Sequence, residues 1–126
     1  MKMHKAVELY KAGQVEESIH RLQEVIQERP DFNAAYHTLA TVFFNQRRLP
    51  EAIRTLDEGL GHNPGSLSLM AYLGIMKVAN KEYDDAIILL QDVVAKEKYC
   101  ADYNNYLGVA YQEKGELDKA RHFLLE

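Results

Sequence analysis

The sequence has little of several features that would place it in other protein classes. Cys100 is the single cysteine, so no disulfide can form within the chain, and we expect a buried, structural thiol. Apolar runs stop at about five residues, as in Ala86–Leu90, far short of the ~20 that cross a membrane. The N-terminus also lacks the apolar core of a secretion signal. We therefore expect a cytoplasmic protein, although these absences describe only the given piece if the chain is part of a larger protein.

Basic residues are too few and too scattered for binding to nucleic acid. The net charge is −4 and the longest basic run is Arg47-Arg48, whereas a protein that binds phosphate backbones needs a basic stripe. The composition, 47% hydrophobic and 27% charged, is ordinary for a folded helical protein rather than a disordered one. The length predicts one domain, without nucleic acid as a partner and without direct insertion into a membrane.

The sequence contains no motif for catalysis or for a metal site. No two of its five histidines are four residues apart, and it has neither a glycine-rich phosphate loop nor a nucleophile elbow. Acidic residues cluster just after each predicted turn, where a helix start favours carboxylates through its dipole: Glu16, Glu17, Glu51, Asp84, Asp85 and Asp118. We interpret them as structural and predict that the protein is no enzyme and has no cofactor and no metal.

What the sequence does contain is a fixed internal period. Residues of one type recur at the same spacing in several columns: Ala6, Ala40, Gly74 and Gly108; Ser18, Ala52, Ala86 and Ala120; Leu22, Leu56, Leu90 and Leu124. A period of this length, about 34 residues, indicates a stack of identical supersecondary units. Such stacks usually present a surface to a partner.

Each unit has the pattern of two helices. Tyr36, Leu39, Ala40 and Phe43 follow the spacing of one helix face, and a second set begins after a polar break. The pattern predicts eight helices, near 2–12, 15–29, 33–46, 50–61, 67–80, 83–97, 101–114 and 117–126. Gly13 and Gly115 fall in turns, where glycine readily takes a left-handed conformation. The small columns predict close packing within each pair, with Ala86 facing Gly74.

These columns resemble the tetratricopeptide repeat, a helix–turn–helix unit of about 34 residues. The residues that carry the resemblance are Ala6, Leu9, Ser18, Leu22 and Pro30; Tyr36, Leu39, Ala40, Phe43, Ala52, Leu56 and Pro64; Met70, Leu73, Gly74, Ala86 and Leu90; Asn104, Leu107, Gly108, Tyr111, Ala120 and Leu124. The third unit departs from the pattern, with Lys77 in place of the aromatic residue and Lys98 in place of the proline. Pentatricopeptide repeats differ in their step and bind RNA, and armadillo and HEAT units are longer.

The resemblance implies a fold and a domain organisation. We expect an all-α right-handed superhelix, or α-solenoid, of antiparallel helix pairs. Residues 1–126 would form a single domain, with repeats near 1–30, 31–64, 65–98 and 99–126, of which the first and last are incomplete.

The resemblance also implies a binding groove, lined by the first helix of each pair. By register, the groove collects Met3, Val7, Tyr10, His37, Thr38, Thr41, Phe44, Asn45, Ala71, Tyr72, Ile75, Val78, Asn105, Tyr106, Val109 and Gln112. The residues we select as the binding site are His37, Thr41, Phe44, Asn45, Tyr72, Ile75, Asn105, Tyr106 and Val109. One column of this set, Val7, Thr41, Ile75 and Val109, is apolar or β-branched, which suits either a groove or a core. The resemblance implies no carboxylate clamp of the kind found in one subclass, since Met3, His37, Thr38, Ala71 and Val109 occupy its places and only Asn105 matches a clamp residue.

Two functions remain open at this point. The first is a scaffold that binds a protein or peptide partner in the groove. The alternative is a self-assembly module, because we expect the final helix to stop at Phe123-Leu124-Leu125-Glu126 without the polar capping helix that terminal repeats need.

Overall fold

The computed structural model describes residues 2–96 and 101–115, and within them all regular structure is α-helical. Its seven helices are α1 (Lys2–Lys11), α2 (Val15–Glu28), α3 (Asn33–Asn45), α4 (Leu49–His62), α5 (Leu67–Ala79), α6 (Tyr83–Lys96) and α7 (Ala101–Glu113). Each agrees with its predicted range to within one residue at either end. The predicted eighth helix, with Ala120 and the segment Phe123-Leu124-Leu125, lies outside the described residues, as does Cys100.

The turn inside each helix pair has the same backbone conformation in successive repeats. Its central residue is left-handed at Gly13 (φ 86°), Arg47 (φ 61°), Lys81 (φ 64°) and Gly115 (φ 93°). The following amide donates back to a carbonyl five residues earlier, from Gln14 to Leu9, from Arg48 to Phe43 and from Glu82 to Lys77. This is the Schellman arrangement that ends a helix at a left-handed residue. The predicted conformation of Gly13 and Gly115 is confirmed, whereas that of Arg47 and Lys81 was not foreseen.

Carboxylates at the start of the second helices form local ion pairs. The Arg48 guanidinium, at the start of α4, donates to both oxygens of Glu51 at 2.9 and 2.5 Å and to Glu16 at 3.1 Å. The hydrogen bond from Arg48 lowers the pKa of the Glu51 carboxyl. Because α2 and α4 lack a side-chain cap, carboxylates in the first turn compensate for the unbonded amides there.

The chain contains two compact units, Met1–Leu69 and Met70–Glu126. In the first, α1 packs on α2, α3 packs on α4, and α2 packs on α3. Its core is centred on Tyr36, which is fully buried and whose hydroxyl donates to the Pro30 carbonyl at 2.6 Å. Burial is the main cause that raises the pKa of this phenol. A Cβ atom at Gly59 would lie 2.8 Å from Cγ of Tyr36, so only glycine lets α4 approach the ring.

The small columns of the first unit lie where helices come close. Ala40 and Ala52 have no exposed surface. Ser18, in the column otherwise held by alanine, is also fully buried, and its hydroxyl donates to the Ala6 carbonyl at 2.7 Å. Members of the two small-residue columns, Ala6 and Ser18, are therefore in direct contact in the first helix pair. The buried Ser18 hydroxyl has a hydrogen-bond partner there.

In the second unit, the buried cluster of Ile87, Leu90, Leu107, Ala110 and Tyr111 joins α6 to α7. A Cβ atom at Gly74 would lie 2.8 and 2.9 Å from Cγ and Cδ2 of Leu90. The predicted close approach at Gly74 is therefore present, and the atoms nearest to it belong to Leu90, a large side chain that the sequence pattern had not pointed to.

Lys77 fills the position of an aromatic residue in a different way. Its side chain is 14% exposed, and its ammonium lies 3.7 Å from Glu82 and 3.5 Å from Asp85. The aliphatic stem can be buried while the charged end reaches carboxylates at the surface. The repeat therefore accepts a lysine here because the position lies at the edge of the helix pair.

Candidate functional site

Four predicted site residues lie on one side of α3 in the first unit. His37, Thr41, Phe44 and Asn45 are spaced so that they share this side, which we call the α3 face. Phe44 is 43% exposed, although it is a large apolar side chain. Thr41 donates its hydroxyl proton to the His37 carbonyl at 2.9 Å, so its methyl group adds to the apolar character of the face.

A hydrogen bond connects the α3 face to α1. The Asn45 amide donates from Nδ2 to the hydroxyl oxygen of Tyr10 at 3.0 Å. This leaves the Asn45 carbonyl oxygen and the Tyr10 proton for further hydrogen bonds. The structure thus brings together Asn45 and Tyr10, two residues that the register assigned to the first helices of successive pairs. The bond itself was not foreseen, because both residue types are common at exposed positions.

The electrostatic state of the α3 face is set by His37. The side chain is exposed, yet the neighbouring atoms remove enough water to lower the pKa of its imidazole. An imidazole with a lowered pKa is neutral at physiological pH. The α3 face is therefore uncharged and partly apolar.

In the second unit, the predicted residues lie on α5 and α7. Tyr72 and Ile75 on α5 are partly buried. Ala71, which the register also assigned to the groove, is only 2% exposed and belongs to the core. That assignment was wrong, although Ala71 holds the same register position as the exposed His37 and Asn105.

Helix α7 carries a second exposed surface. Asp102, Asn105, Tyr106 and Val109 line a depression of about 380 Å³, which we call the α7 depression. Tyr106 is 39% exposed and Val109 37%. The last three of these residues were predicted; Asp102 was missed, although it lies three residues before Asn105 on the same helix side.

The column of apolar and β-branched residues is not part of either core. Val7, Thr41 and Ile75 are partly buried, and Val109 is exposed. Of the two roles left open by the sequence, a packed core and an accessible surface, the burial favours the second.

A further cavity of about 350 Å³ is lined by the second helices α2 and α4 together with α3. Its floor includes Ile26, Leu39 and Phe43, and its rim carries Gln23, Gln27, Glu51, Arg54, Thr55 and Glu58. The Glu51 carboxylate is already held by Arg48. This cavity contains none of the predicted site residues.

Two other kinds of site are not formed by residues 2–96 and 101–115. Over these ranges, no group of three or more His, Cys, Asp or Glu side chains is placed to hold a metal ion. In the same part of the chain, no helix has the length and apolar character needed to cross a membrane.

Helix pairs that repeat with a fixed period, with a shared left-handed turn and accessible first helices, define an α-solenoid repeat protein. Sequence models of the tetratricopeptide repeat match residues 9–73 and 73–126. The chain belongs to the tetratricopeptide repeat family, and the predicted fold class, an all-α solenoid of helix pairs, is confirmed.

One relative in sequence is the TPR repeat-containing protein YvcD of Bacillus subtilis, strain 168. It is 30% identical over 92 residues, which are 73% of this chain and 19% of YvcD. The chain thus spans about a fifth of the length of that relative.

Solved structures share the fold. The crystal structure of MamA matches 94% of this chain and 69% of its own, with a TM-score of 0.84 and 23% identity. A chain in the structure of Naa15/Naa10 bound to HypK-THB matches 98% of this chain and 19% of its own, with a TM-score of 0.73 and 20% identity. Together with the family, this fold makes the chain a protein-interaction scaffold of a type that is generally not enzymatic.

Proposed function

We propose that this chain binds an extended peptide segment of a partner protein on the exposed sides of its first helices. The observation that carries the proposal is the exposure of Phe44, 43%, beside the hydrogen-bonded pair Asn45 and Tyr10. A large apolar side chain next to fixed polar groups is what a binding surface needs, since aromatic residues supply much of the energy of interfaces. A solved chain of the same fold comes from a complex of several proteins, Naa15/Naa10 bound to HypK-THB, which supports this kind of use.

The α3 face has the chemistry to hold a peptide backbone and an apolar side chain together. The Asn45 carbonyl accepts a peptide N–H and the Tyr10 hydroxyl donates to a peptide carbonyl, while Phe44 packs against a side chain. Both polar groups are oriented by their mutual bond of 3.0 Å, so less entropy is lost when a ligand binds. In the second unit, Tyr72, Ile75, Asn105, Tyr106 and Val109 would make the corresponding contacts.

Selection from a displayed library of random 12-residue peptides tests the proposal, with the affinity of selected peptides measured by calorimetry. The double variant Phe44→Ala, Tyr72→Ala should weaken binding by about tenfold or more, because it removes two aromatic anchors. Helicity should be unchanged.

Ile88→Ala is the matched control. Ile88 lies on the second helix α6 and is 68% exposed, so its substitution also removes an exposed apolar side chain but should leave the affinity unchanged. Binding that persists in the double variant, or that depends equally on Ile88, would place the site outside the first helices.

A further inference from the structure

We propose that the α7 depression binds a basic side chain, lysine or arginine, of the partner peptide. The inference rests on the proposed function, since it names the chemistry of one part of the same surface. It begins from the lining of the depression, a carboxylate, a carboxamide, an aromatic ring and an aliphatic side chain, contributed by Asp102, Asn105, Tyr106 and Val109.

The size and shape of the α7 depression suit a single long side chain. Its volume is about 380 Å³, at the lower end of the range of ~300–1,000 Å³ of small-ligand sites. The lining residues are spaced by three or four, so they form one continuous strip along α7. A flexible aliphatic stem can lie along Val109 and Tyr106 while its charged end reaches Asp102.

The charge of the α7 depression is negative. Among the described residues, the lining holds one charged side chain, Asp102, and no basic side chain. Three exposed carboxylates elsewhere pair with a lysine: Asp84 with Lys114, Asp85 with Lys77, and Asp92 with Lys96. None of the ion pairs formed among the described residues involves Asp102, whose side chain is exposed.

The position of Asp102 has a second, purely structural explanation. It lies in the first turn of α7, where a carboxylate interacts favourably with the helix dipole. That explanation does not account for the exposure of Tyr106 and Val109 one and two turns later. A cation held by Asp102 would lie near the Tyr106 ring, and a cation within ~6 Å of an aromatic ring is attracted to its face. The Asp102 carboxylate and the exposed side chains of Tyr106 and Val109 can contact one ligand together only if that ligand is basic and has an apolar stem.

The inferred preference is opposite to that of a carboxylate clamp. A clamp needs lysine or arginine in the groove, whereas the corresponding places here hold uncharged residues such as Thr38 and Val109. An acidic ligand would be repelled by Asp102, and a neutral apolar one would leave the carboxylate unused.

The test uses three small probes and the complete chain. N-acetyl-lysine amide, N-acetyl-arginine amide and the uncharged N-acetyl-norleucine amide are titrated to tens of millimolar, and backbone amide shifts are followed by NMR. We expect the two basic probes to shift the amides of 102–109 in a saturable way, and norleucine to have little effect. The comparison of lysine with arginine shows which cation is preferred.

Matched variants identify the group responsible. Asp102→Asn should lower the affinity for the basic probes about threefold to tenfold, since an exposed ion pair and part of a cation–π contact are lost. Glu113→Gln removes the same charge from the other end of α7 and should have no effect. Tyr106→Phe should keep binding, because the ring remains, and Tyr106→Leu should weaken it.

The inference is overturned if the basic probes cause no shifts on α7, if norleucine binds equally, or if Asp102→Asn and Glu113→Gln behave alike. These results are separate from the test of the proposed function, which depends on Phe44 and Tyr72. Selected peptides that need those two residues but ignore Asp102 would keep the function and refute the basic pocket.

Discussion

The first unit and the second unit use the same helix pair but fill equivalent positions with different chemistry. In the first, Phe43 closes the end of α3, and the Arg48 guanidinium lies 4.8 Å from the centre of its ring. In the second, Lys77 takes this position and forms ion pairs with Glu82 and Asp85. The edge of a helix pair therefore accepts an apolar ring or a long charged side chain, provided that the stem covers the same core.

The positions at which paired helices touch tolerate fewer changes in side-chain volume than the position of Phe43 and Lys77. In the first unit, Ser18 reaches the Ala6 carbonyl, and in the second, Gly74 admits Leu90. The chemistry of the two contacts differs, but both place one helix close to the backbone of the next. The difference shows that volume, more than residue type, is restricted at these positions.

The largest expected effect comes from adding volume in the alanine column of each unit. Ala52→Leu in the first unit and Ala86→Leu in the second should each lower the free energy of unfolding by about 1–3 kcal/mol or more, because a tightly packed position has no room to relax. Both alanines are fully buried. Urea unfolding followed by circular dichroism measures the change. If both variants unfold with the parent, the close approach of the helices is not required.

Replacing the glycine at a helix contact in each unit should have the next largest effect on stability. Gly59→Ala in the first and Gly74→Ala in the second should each destabilise by about 1–3 kcal/mol net of helix propensity, since the new Cβ would lie 2.8 Å from Tyr36 or Leu90. Gly61 is in the same helix as Gly59 but has nothing within 4 Å. Gly61→Ala should therefore be neutral or stabilise by up to about 1 kcal/mol. Equal effects at Gly59 and Gly61 in thermal melts would contradict the packing argument.

Relief of backbone strain should have a smaller effect, with one position in each unit. Arg47→Gly and Lys81→Gly should raise the free energy of unfolding by up to about 1 kcal/mol, because a left-handed residue with a side chain is strained by about 1–2 kcal/mol and the glycine gains entropy when unfolded. Gly13→Ala is the reverse change and should destabilise. Chemical unfolding of the three variants checks the sign, and a loss of stability in both glycine variants would show that the side chains are needed in the turns.

The smallest expected effect is a dependence on pH that is confined to the first unit. The pKa of His37 is lowered from 6.5 in the folded chain, so the folded form binds a proton less readily than the unfolded form. Its contribution to stability is complete above that value and is lost as the pH falls from there towards the folded pKa. Unfolding at about pH 7.5 and about pH 5.5 should show a smaller difference for His37→Gln than for the parent. An unchanged difference would assign the effect to other groups.

Much of the helical order could be predicted from the sequence because the repeat supplies the same signal several times. Bounds of α1 to α7 follow from apolar spacing and from breaks such as Gly13. The partner of Gly74 could not be predicted, since spacing along one helix does not fix which residue of the next helix it meets. The left-handed Arg47 and Lys81 were missed because only glycine marks this conformation by its type; their place in the column of Gly13 and Gly115 was the available signal.

The candidate site was predicted less completely than the fold. Register placed Phe44 and Tyr106 on exposed sides of their helices, but it also assigned the buried Ala71 to the groove. The bond between Asn45 and Tyr10 depends on how two helices pack, which no pattern within one helix contains.

The shared turn conformation constrains how an array of this kind can grow or shrink. Since the left-handed residue recurs once in each period, duplication or deletion of one whole period joins identical turns, and each helix after the joint keeps its register to its own turn. Insertion of a single residue within a helix would instead rotate everything after it by about 100° around the helix axis and carry the binding side chains away from their surface. Gene rearrangements that preserve the period therefore keep the turns intact, while single-codon insertions within helices displace the side chains that follow.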